Sequence, residues 1–187
     1  VASNNRLSGQ IPKQIGSLKQ LTYLHLEHNA LEGSIPPDIG MCSSMVDLNL
    51  AENSLTGDIP DTLASLVTLN SLNISHNMIS GDIPEGLQSL KLSDIDFSHN
   101  ELSGPVPPQL LMIAGDYAFS ENAGLCVADT SEGWKQSITN LKPCQWSDNR
   151  DNLSRRRLLL VLVTVISLVV LLFGLACLSY ENYKLEE

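Results

Sequence analysis

One string of residues returns at a nearly fixed distance along the N-terminal half of the chain. Its first full copy, residues 18–36, reads L-x-x-L-x-x-L-x-L-x-x-N-x-L-x-G-x-I-P. The copies align on an asparagine, with successive spacings of 24, 24, 24 and 23 residues: Asn5, Asn29, Asn53, Asn77 and Asn100. A fixed period of this length is the signature of a solenoid, in which each repeat is one coil and neighbouring coils share a core.

Each fixed letter of the string has a physical role. In Leu24-His25-Leu26 the alternation predicts a short strand with one buried face. The side chain of Asn29 can satisfy backbone groups in the bend that ends this strand. Gly33 suits a sharp turn or a close approach of the next coil, and Pro36 removes a backbone donor where the chain leaves the strand.

The string matches the leucine-rich repeat pattern of about 20–29 residues, and its G-x-I-P ending resembles the extracellular repeats of plants. The resemblance implies a right-handed superhelix of β-strands and 3-10 turns over residues 1–110, with one partial and four near-complete repeats. Because the chain starts inside a repeat, we expect further repeats upstream and interpret the chain as a fragment. The period is expected to stop after Leu110.

The residues between the inward leucines are expected to line a concave face. Residues 1–110 hold twelve acidic and four basic side chains, a balance that disfavours nucleic acid as a partner. The face is either simply solvated or part of a groove for a peptide or protein, a common use of concave solenoid surfaces. Its outward residues are Tyr23, His25, Glu27 and His28; Asp47, Asn49, Ala51 and Glu52; Ser71, Asn73, Ser75 and His76; Asp94, Asp96, Ser98 and His99. The candidate partner-binding face comprises Ser71, Asn73, His76, Asp94, Asp96 and His99.

Residues 119–126, F-x-x-N-x-G-L-C, resemble the opening of the C-terminal cap in plant receptors. The resemblance implies a cap over residues 111–146 with a disulfide between Cys126 and Cys144, which would staple a segment that has little core of its own. The alternative, a zinc site, lacks a second Cys or His pair nearby. Polar residues 147–157 are expected to form a juxtamembrane linker.

Residues 158–178 are 21 residues without a charge. At ~1.5 Å per residue a helix of this length spans a hydrocarbon core of roughly 30 Å, so we expect one transmembrane helix. The arginines at 155–157 precede it, and the positive-inside bias alone would place the repeats in the cytosol. We expect the opposite orientation, because long domains translocate largely regardless of flanking charge and a disulfide between the cap cysteines needs an oxidising compartment. The prediction is a single-pass plasma-membrane protein with extracellular repeats, contact with lipid, and a cytoplasmic segment starting at residues 179–187.

Two sequons, at Asn73 and Asn152, are candidate glycosylation sites. Three of the residues that precede the marker asparagines are histidines, and this column could respond to pH; the alternative is that any small polar residue is tolerated there. The sequence shows no catalytic, cofactor-binding or metal-ligating constellation. We therefore expect no enzymatic activity within this chain.

The chain as a whole resembles the C-terminal ectodomain, cap and membrane span of plant leucine-rich repeat receptor-like kinases, most closely the HAESA-related group and its receptors for C-terminally encoded peptides. The resemblance implies a receptor for a secreted peptide, bound mainly on upstream repeats, that pairs with a co-receptor kinase ectodomain through its last repeats and cap. A Ser/Thr kinase would follow residue 187. The alternative is a kinase-less receptor-like protein that acts as a binding module or decoy. The residues that carry the resemblance are 24–29, 46–51, 90–93, 118–120 and 125–126.

Overall fold

The computed structural model describes residues 1–128 and 141–144, which form a stack of coils. Each complete coil contains a three-residue strand, a five-residue strand and a helical turn. The strands are β1 (Ser8–Gln10), β2 (Tyr23–His25), β3 (Ala30–Ser34), β4 (Asp47–Asn49), β5 (Ser54–Asp58), β6 (Ser71–Asn73), β7 (Met78–Asp82), β8 (Asp94–Asp96), β9 (Glu101–Pro105), β10 (Gly124–Val127) and β11 (Lys142–Pro143).

The three-residue strands form a parallel sheet, here called the short sheet, in the order β2-β4-β6-β8. Its central residues stack in register, with Leu24 opposite Leu48, Leu48 opposite Leu72, and Leu72 opposite Ile95. All four are buried in one continuous core. The strand predicted from the leucine alternation is thus confirmed, displaced by one residue towards the N-terminus.

A second parallel sheet, the long sheet, was not predicted from the sequence. Its order is β1-β3-β5-β7-β9-β10-β11. Gly33, expected either at a sharp turn or where a neighbouring coil comes close, lies inside β3 with a φ of 75°. This conformation favours glycine, and a Cβ at Gly33 would press on the side chain of Gln10 in the preceding coil. The glycine therefore permits both the backbone shape of the strand and the close stacking of the coils.

A proline precedes each 3-10 helix on the side of the stack that carries these helices, here called the helical side. The 3-10 helices at Lys13–Ser17, Pro37–Met41, Asp61–Ser65 and Glu85–Ser89 each follow a proline at the N-cap position. Because a proline carries no N–H and has a fixed φ near −65°, it fits a position where a strand ends and a helix begins. The I-P of the repeat thus marks the corner between the long sheet and the helical side.

The marker asparagines form a ladder through the interior of the bends. Asn53 is typical: Nδ2 lies 3.0–3.1 Å from the main-chain oxygens of Leu26, Leu50 and Ala51, and Oδ1 accepts from the N–H of Leu31 at 3.0 Å. One side chain therefore satisfies backbone groups of its own coil and of the preceding coil. Such groups would otherwise be left unpaired next to the core.

The ladder continues one rung beyond residue 110, where the sequence predicts the period to end. Asn122 lies 22 residues after Asn100, and its Oδ1 accepts from the N–H of Leu102 at 3.0 Å. The short strand of this last coil is replaced by a 3-10 helix, Tyr117–Phe119, which follows helix α1 (Pro108–Ala114). The ring of Phe119 packs edge-on against Phe97, with ring centroids 5.9 Å apart. The start of the predicted cap is thus a sixth coil in its hydrogen bonding and packing.

The predicted disulfide between Cys126 and Cys144 is present, with a Cα–Cα distance of 4.8 Å. It ties the end of the described chain to β10, beside β11. Within residues 1–128 and 141–144 no helix has the length and apolar character needed to cross a membrane. The predicted span at 158–178, the linker, the segment 179–187 and the sequon at Asn152 all lie outside the described residues.

Candidate interaction surface

The short sheet presents the residues predicted for the concave face. On β6 and β8, Ser71 lies opposite Asp94 and Asn73 opposite Asp96. Ser71 Oγ donates to Asp94 Oδ2 at 3.3 Å. Neighbouring strands of a sheet lie about 4.8 Å apart, so these side chains form a regular polar grid on a rigid support.

Two members of this grid also shape the backbone. Asn73 Oδ1 accepts from the N–H and the hydroxyl of Ser75, at 3.0 and 2.8 Å. Asp96 Oδ1 accepts from the same groups of Ser98, at 3.0 and 2.6 Å. The two side chains therefore help to fix the bend after each strand, and half-buried Asn73 has this local role whether or not its sequon is used.

The outward set predicted from the sequence needs one correction. Ala51, Ser75 and Ser98 were expected on the outer face, yet they are buried, with 7%, 3% and 7% of their surface exposed. The chain bends after each three-residue strand, so the alternation of faces does not extend beyond it. The hydroxyls of the two serines turn back to the strand and bond there.

A column of residues with positive φ runs beside the short sheet, one residue before each ladder asparagine. We call it the left-handed column, and its members are Asn4, His28, Glu52, His76, His99 and Glu121, with φ of 53–55°. A positive φ is uncommon for residues other than glycine, and Asn and His are among those that tolerate it best. The backbone conformation therefore favours residues that tolerate a positive φ at this position.

Side chains along the column contact each other from coil to coil. His28 Nδ1 lies 2.6 Å from Glu52 Oε2. The rings of His76 and His99 stack with centroids 4.0 Å apart and an interplanar angle of 14°. Of the predicted partner-binding residues, the structure places His76 and His99 on this column and the other four on the sheet beside it.

The N-terminal end of the face is different in character. The ring of Tyr23 is half exposed and meets His25 edge-on, with centroids 6.3 Å apart. His25 Nε2 lies 2.9 Å from Asp47 Oδ2 on the next strand. The exposed tyrosine offers both apolar area and a hydroxyl group, and tyrosine is enriched in protein interfaces.

The surface is predominantly acidic. Residues 1–128 contain fourteen acidic and four basic side chains. The four basic residues, Arg6, Lys13, Lys19 and Lys91, lie outside the strands of the short sheet. Within residues 1–128 and 141–144, no group of three or more His, Cys, Asp or Glu side chains is arranged to hold a metal ion.

Cys42 is a buried free thiol in the core. Its Sγ donates to the main-chain oxygen of Ile15 at 3.3 Å. Burial raises the pKa of the Cys42 thiol above its ordinary value, and the nearby charge of Lys19 opposes this only in part. A thiol held protonated in this way behaves as a small apolar side chain rather than a nucleophile.

Comparison with known proteins places this geometry in a family. A leucine-rich repeat model matches residues 20–42, 44–66 and 68–90. A chain of the BIR3–SERK2 complex from Arabidopsis thaliana is 33% identical, with a TM-score of 0.65 over 78% of this chain and 72% of that chain. The ectodomain of the Arabidopsis thaliana receptor kinase SOBIR1 is also 33% identical, with a TM-score of 0.61 over 67% of this chain and 69% of that chain.

This chain belongs to the plant leucine-rich repeat receptor ectodomains. A longer member of the family, the Arabidopsis receptor kinase HAESA in complex with an IDA peptide hormone ligand, is 42% identical, with a TM-score of 0.61. That match covers 66% of this chain and 21% of the HAESA chain. No curated protein sequence matches the chain. Among plant receptor ectodomains, this one is thus similar both to short members over most of their length and to a limited part of a long member.

Proposed function

We propose that this chain is the membrane-proximal part of a plant receptor kinase that senses a secreted peptide and pairs with a co-receptor ectodomain. The main support is the 42% identity to HAESA, a receptor solved with the peptide hormone IDA and, in a second structure, also with the co-receptor SERK1. Within the family we assign the chain to the HAESA-related receptors for C-terminally encoded peptides, on the sequence strings given above.

In this proposal the short sheet and the left-handed column of the last coils form the surface that meets the co-receptor. The six residues Ser71, Asn73, His76, Asp94, Asp96 and His99 would form its centre. They are polar, lie on neighbouring coils, and are held by a backbone whose groups are satisfied from coil to coil. A rigid polar surface of this kind loses little conformational entropy on binding.

The peptide would bind mainly on repeats other than those described here. The strands β2, β4, β6 and β8 carry no arginine or lysine that could hold a peptide carboxylate. An acidic surface is a poor site for a carboxylate, because like charges repel. The acidic short sheet therefore favours a role in pairing over a role as the peptide's anion pocket.

We propose that residues 158–178 anchor the repeats outside the plasma membrane and that a Ser/Thr kinase follows residue 187. The anchor is supported by the 21 uncharged residues and the kinase by the family resemblance. The reading frame beyond Glu187 distinguishes this proposal from the kinase-less alternative. A G-x-G-x-x-G loop followed by a lysine on a strand would indicate a kinase domain, whereas an early stop codon would indicate the kinase-less protein.

The pairing proposal is tested by binding of the SERK1 ectodomain to the full chain in nanodiscs, measured by interferometry at one fixed pH. Asp94→Lys reverses an exposed charge on the short sheet and should weaken binding about tenfold, equal to about 1.4 kcal/mol. Asp61→Lys makes the same change at an exposed carboxylate on the helical side and should leave binding unaltered. Equal effects of the two substitutions, or no binding by the unaltered chain, would contradict the proposal.

A further inference from the structure

Two exposed histidines of the left-handed column lie face to face. The rings of His76 and His99 are 4.0 Å apart and nearly parallel. Both residues have a φ of 54°, and each precedes a ladder asparagine, Asn77 or Asn100, whose amide is fixed to main-chain oxygens. Neighbouring rings are thus held within contact distance by a backbone that has little freedom to separate them.

We propose that this pair is a proton-operated switch on the surface assigned above to the co-receptor. The two rings stack while they are neutral and separate when both carry a proton. The location of the switch rests on the proposed function, but its operation depends only on this chain.

The driving force is the change of charge on imidazole. Neutral aromatic rings at this distance attract each other. Histidine is the side chain whose unperturbed charge changes between about pH 5 and 8. Two imidazolium ions 4.0 Å apart repel, so full protonation removes the attraction and replaces it with a like-charge contact.

The column supplies an opposite charge on each side of the pair. Glu52 precedes His76 by one coil, and its Oε2 already lies 2.6 Å from His28 Nδ1. Glu121 occupies the column position of the next coil after His99. The N–H of His99 donates to the main-chain oxygen of Ser120, so the two segments lie side by side. On protonation His76 can turn towards Glu52 and His99 towards Glu121, while the main chain stays in place. The other charged side chains on β4 and on β6 to β9 are Asp47, Asp82, Asp94, Asp96 and Glu101, all acidic.

The chain has four histidines, so the switch can be followed directly by NMR. The full chain is labelled with 13C-histidine in detergent micelles, and each ring is assigned from the signal lost in its His→Gln variant. We expect a ring-to-ring NOE between His76 and His99 at pH 7.5 and its loss at pH 5.0. An NOE that persists at pH 5.0, or one that is absent at pH 7.5, would overturn the proposal.

The flanking carboxylate gives a second and independent readout. Glu121→Gln removes the negative charge that stabilises protonated His99. The pH at which the NOE disappears should therefore fall by at least 0.5. Glu85→Gln removes an exposed carboxylate from the helical side and should leave that pH unchanged. Equal shifts in the two variants would overturn the role of the column. Because no partner is present, failure here is distinct from failure of the SERK1 binding test.

Discussion

Asn122 Nδ2 lies 3.0 Å from the main-chain oxygen of Phe97, joining the last coil to the one before it. Asn122 is buried, and its Oδ1 also accepts from the N–H of Leu102. The residue thus connects the cap segment to the repeats by the same bonds that join one repeat to the next. The cap is therefore continuous with the stack in its backbone hydrogen bonding, and the disulfide reinforces this connection.

Asn122→Ala should destabilise the end of the stack. It leaves buried main-chain groups without partners, at about 1–3 kcal/mol for each group. Hydrogen exchange at the Leu102 N–H should accelerate by about tenfold or more, since ~1.4 kcal/mol corresponds to a factor of ten. Asn5→Ala is the matched control, because Asn5 is exposed and its amide donates only to Ala2 and Ser3. An equal change at Leu102 in both variants would show that Asn122 has no special role.

The sequence contains a signal for this sixth rung that the leucine pattern does not reveal. Residues 97–100 and 119–122 share the string F-S-x-N. The spacing of 22 residues and the replacement of the short strand by a 3-10 helix remove the L-x-L that marks the other coils. The asparagine is retained because it satisfies backbone groups of the bend, which exist whether or not a strand precedes them.

Other features of the fold also differ in how far the sequence alone reveals them. The short strands, the ladder and the buried leucines were predictable because each depends on a side chain with one strong preference. The long sheet was not, since each of its strands buries about one residue, such as Leu31 in β3, and gives no alternation to detect. The repeat register places His76 and His99 in one column, but their stacked geometry was not predicted, because a positive φ in a non-glycine residue leaves no clear mark in a single sequence.

Loss of the disulfide should destabilise the cap. The bridge spans 18 residues, and a loop of that size is worth about 3 kcal/mol in the chain-entropy model. A reductant should lower the melting temperature of the full chain and of its Cys42→Ala variant. The Cys126→Ser/Cys144→Ser double variant should start lower and show no response to reductant. If the double variant and the unaltered chain had the same melting temperature, the disulfide would not contribute to stability.

The buried thiol of Cys42 predicts a loss of stability at alkaline pH. Its pKa is raised from 9.0 by burial, so the folded state favours the protonated form. That contribution is complete below the unfolded-state pKa and disappears as the pH rises through the folded-state pKa. Between pH 8 and 10.5 the melting temperature should therefore fall more steeply for the unaltered chain than for Cys42→Ala. Parallel curves for the two proteins would show that the thiol does not titrate with folding.

The proposed membrane anchor predicts a response to charge at its centre. An arginine at the middle of a transmembrane helix costs about 2.5–3.5 kcal/mol on the insertion scale. Leu168→Arg combined with Val169→Arg should move the full chain from the carbonate-resistant to the extractable fraction of microsomes. Ser179→Arg/Tyr180→Arg, just outside the predicted span, is the control and should remain resistant. Extraction of the unaltered chain would contradict an anchor at 158–178.

The pairing surface is tested most directly by hydroxyl-radical footprinting of the full chain with and without the SERK1 ectodomain. His76 and His99 are exposed on the left-handed column, whereas Met41 is exposed on the helical side and serves as the internal reference. We expect at least threefold protection of the two histidines and an unchanged rate at Met41. Unprotected histidines, or protection that is confined to Met41, would contradict the assignment of the co-receptor surface.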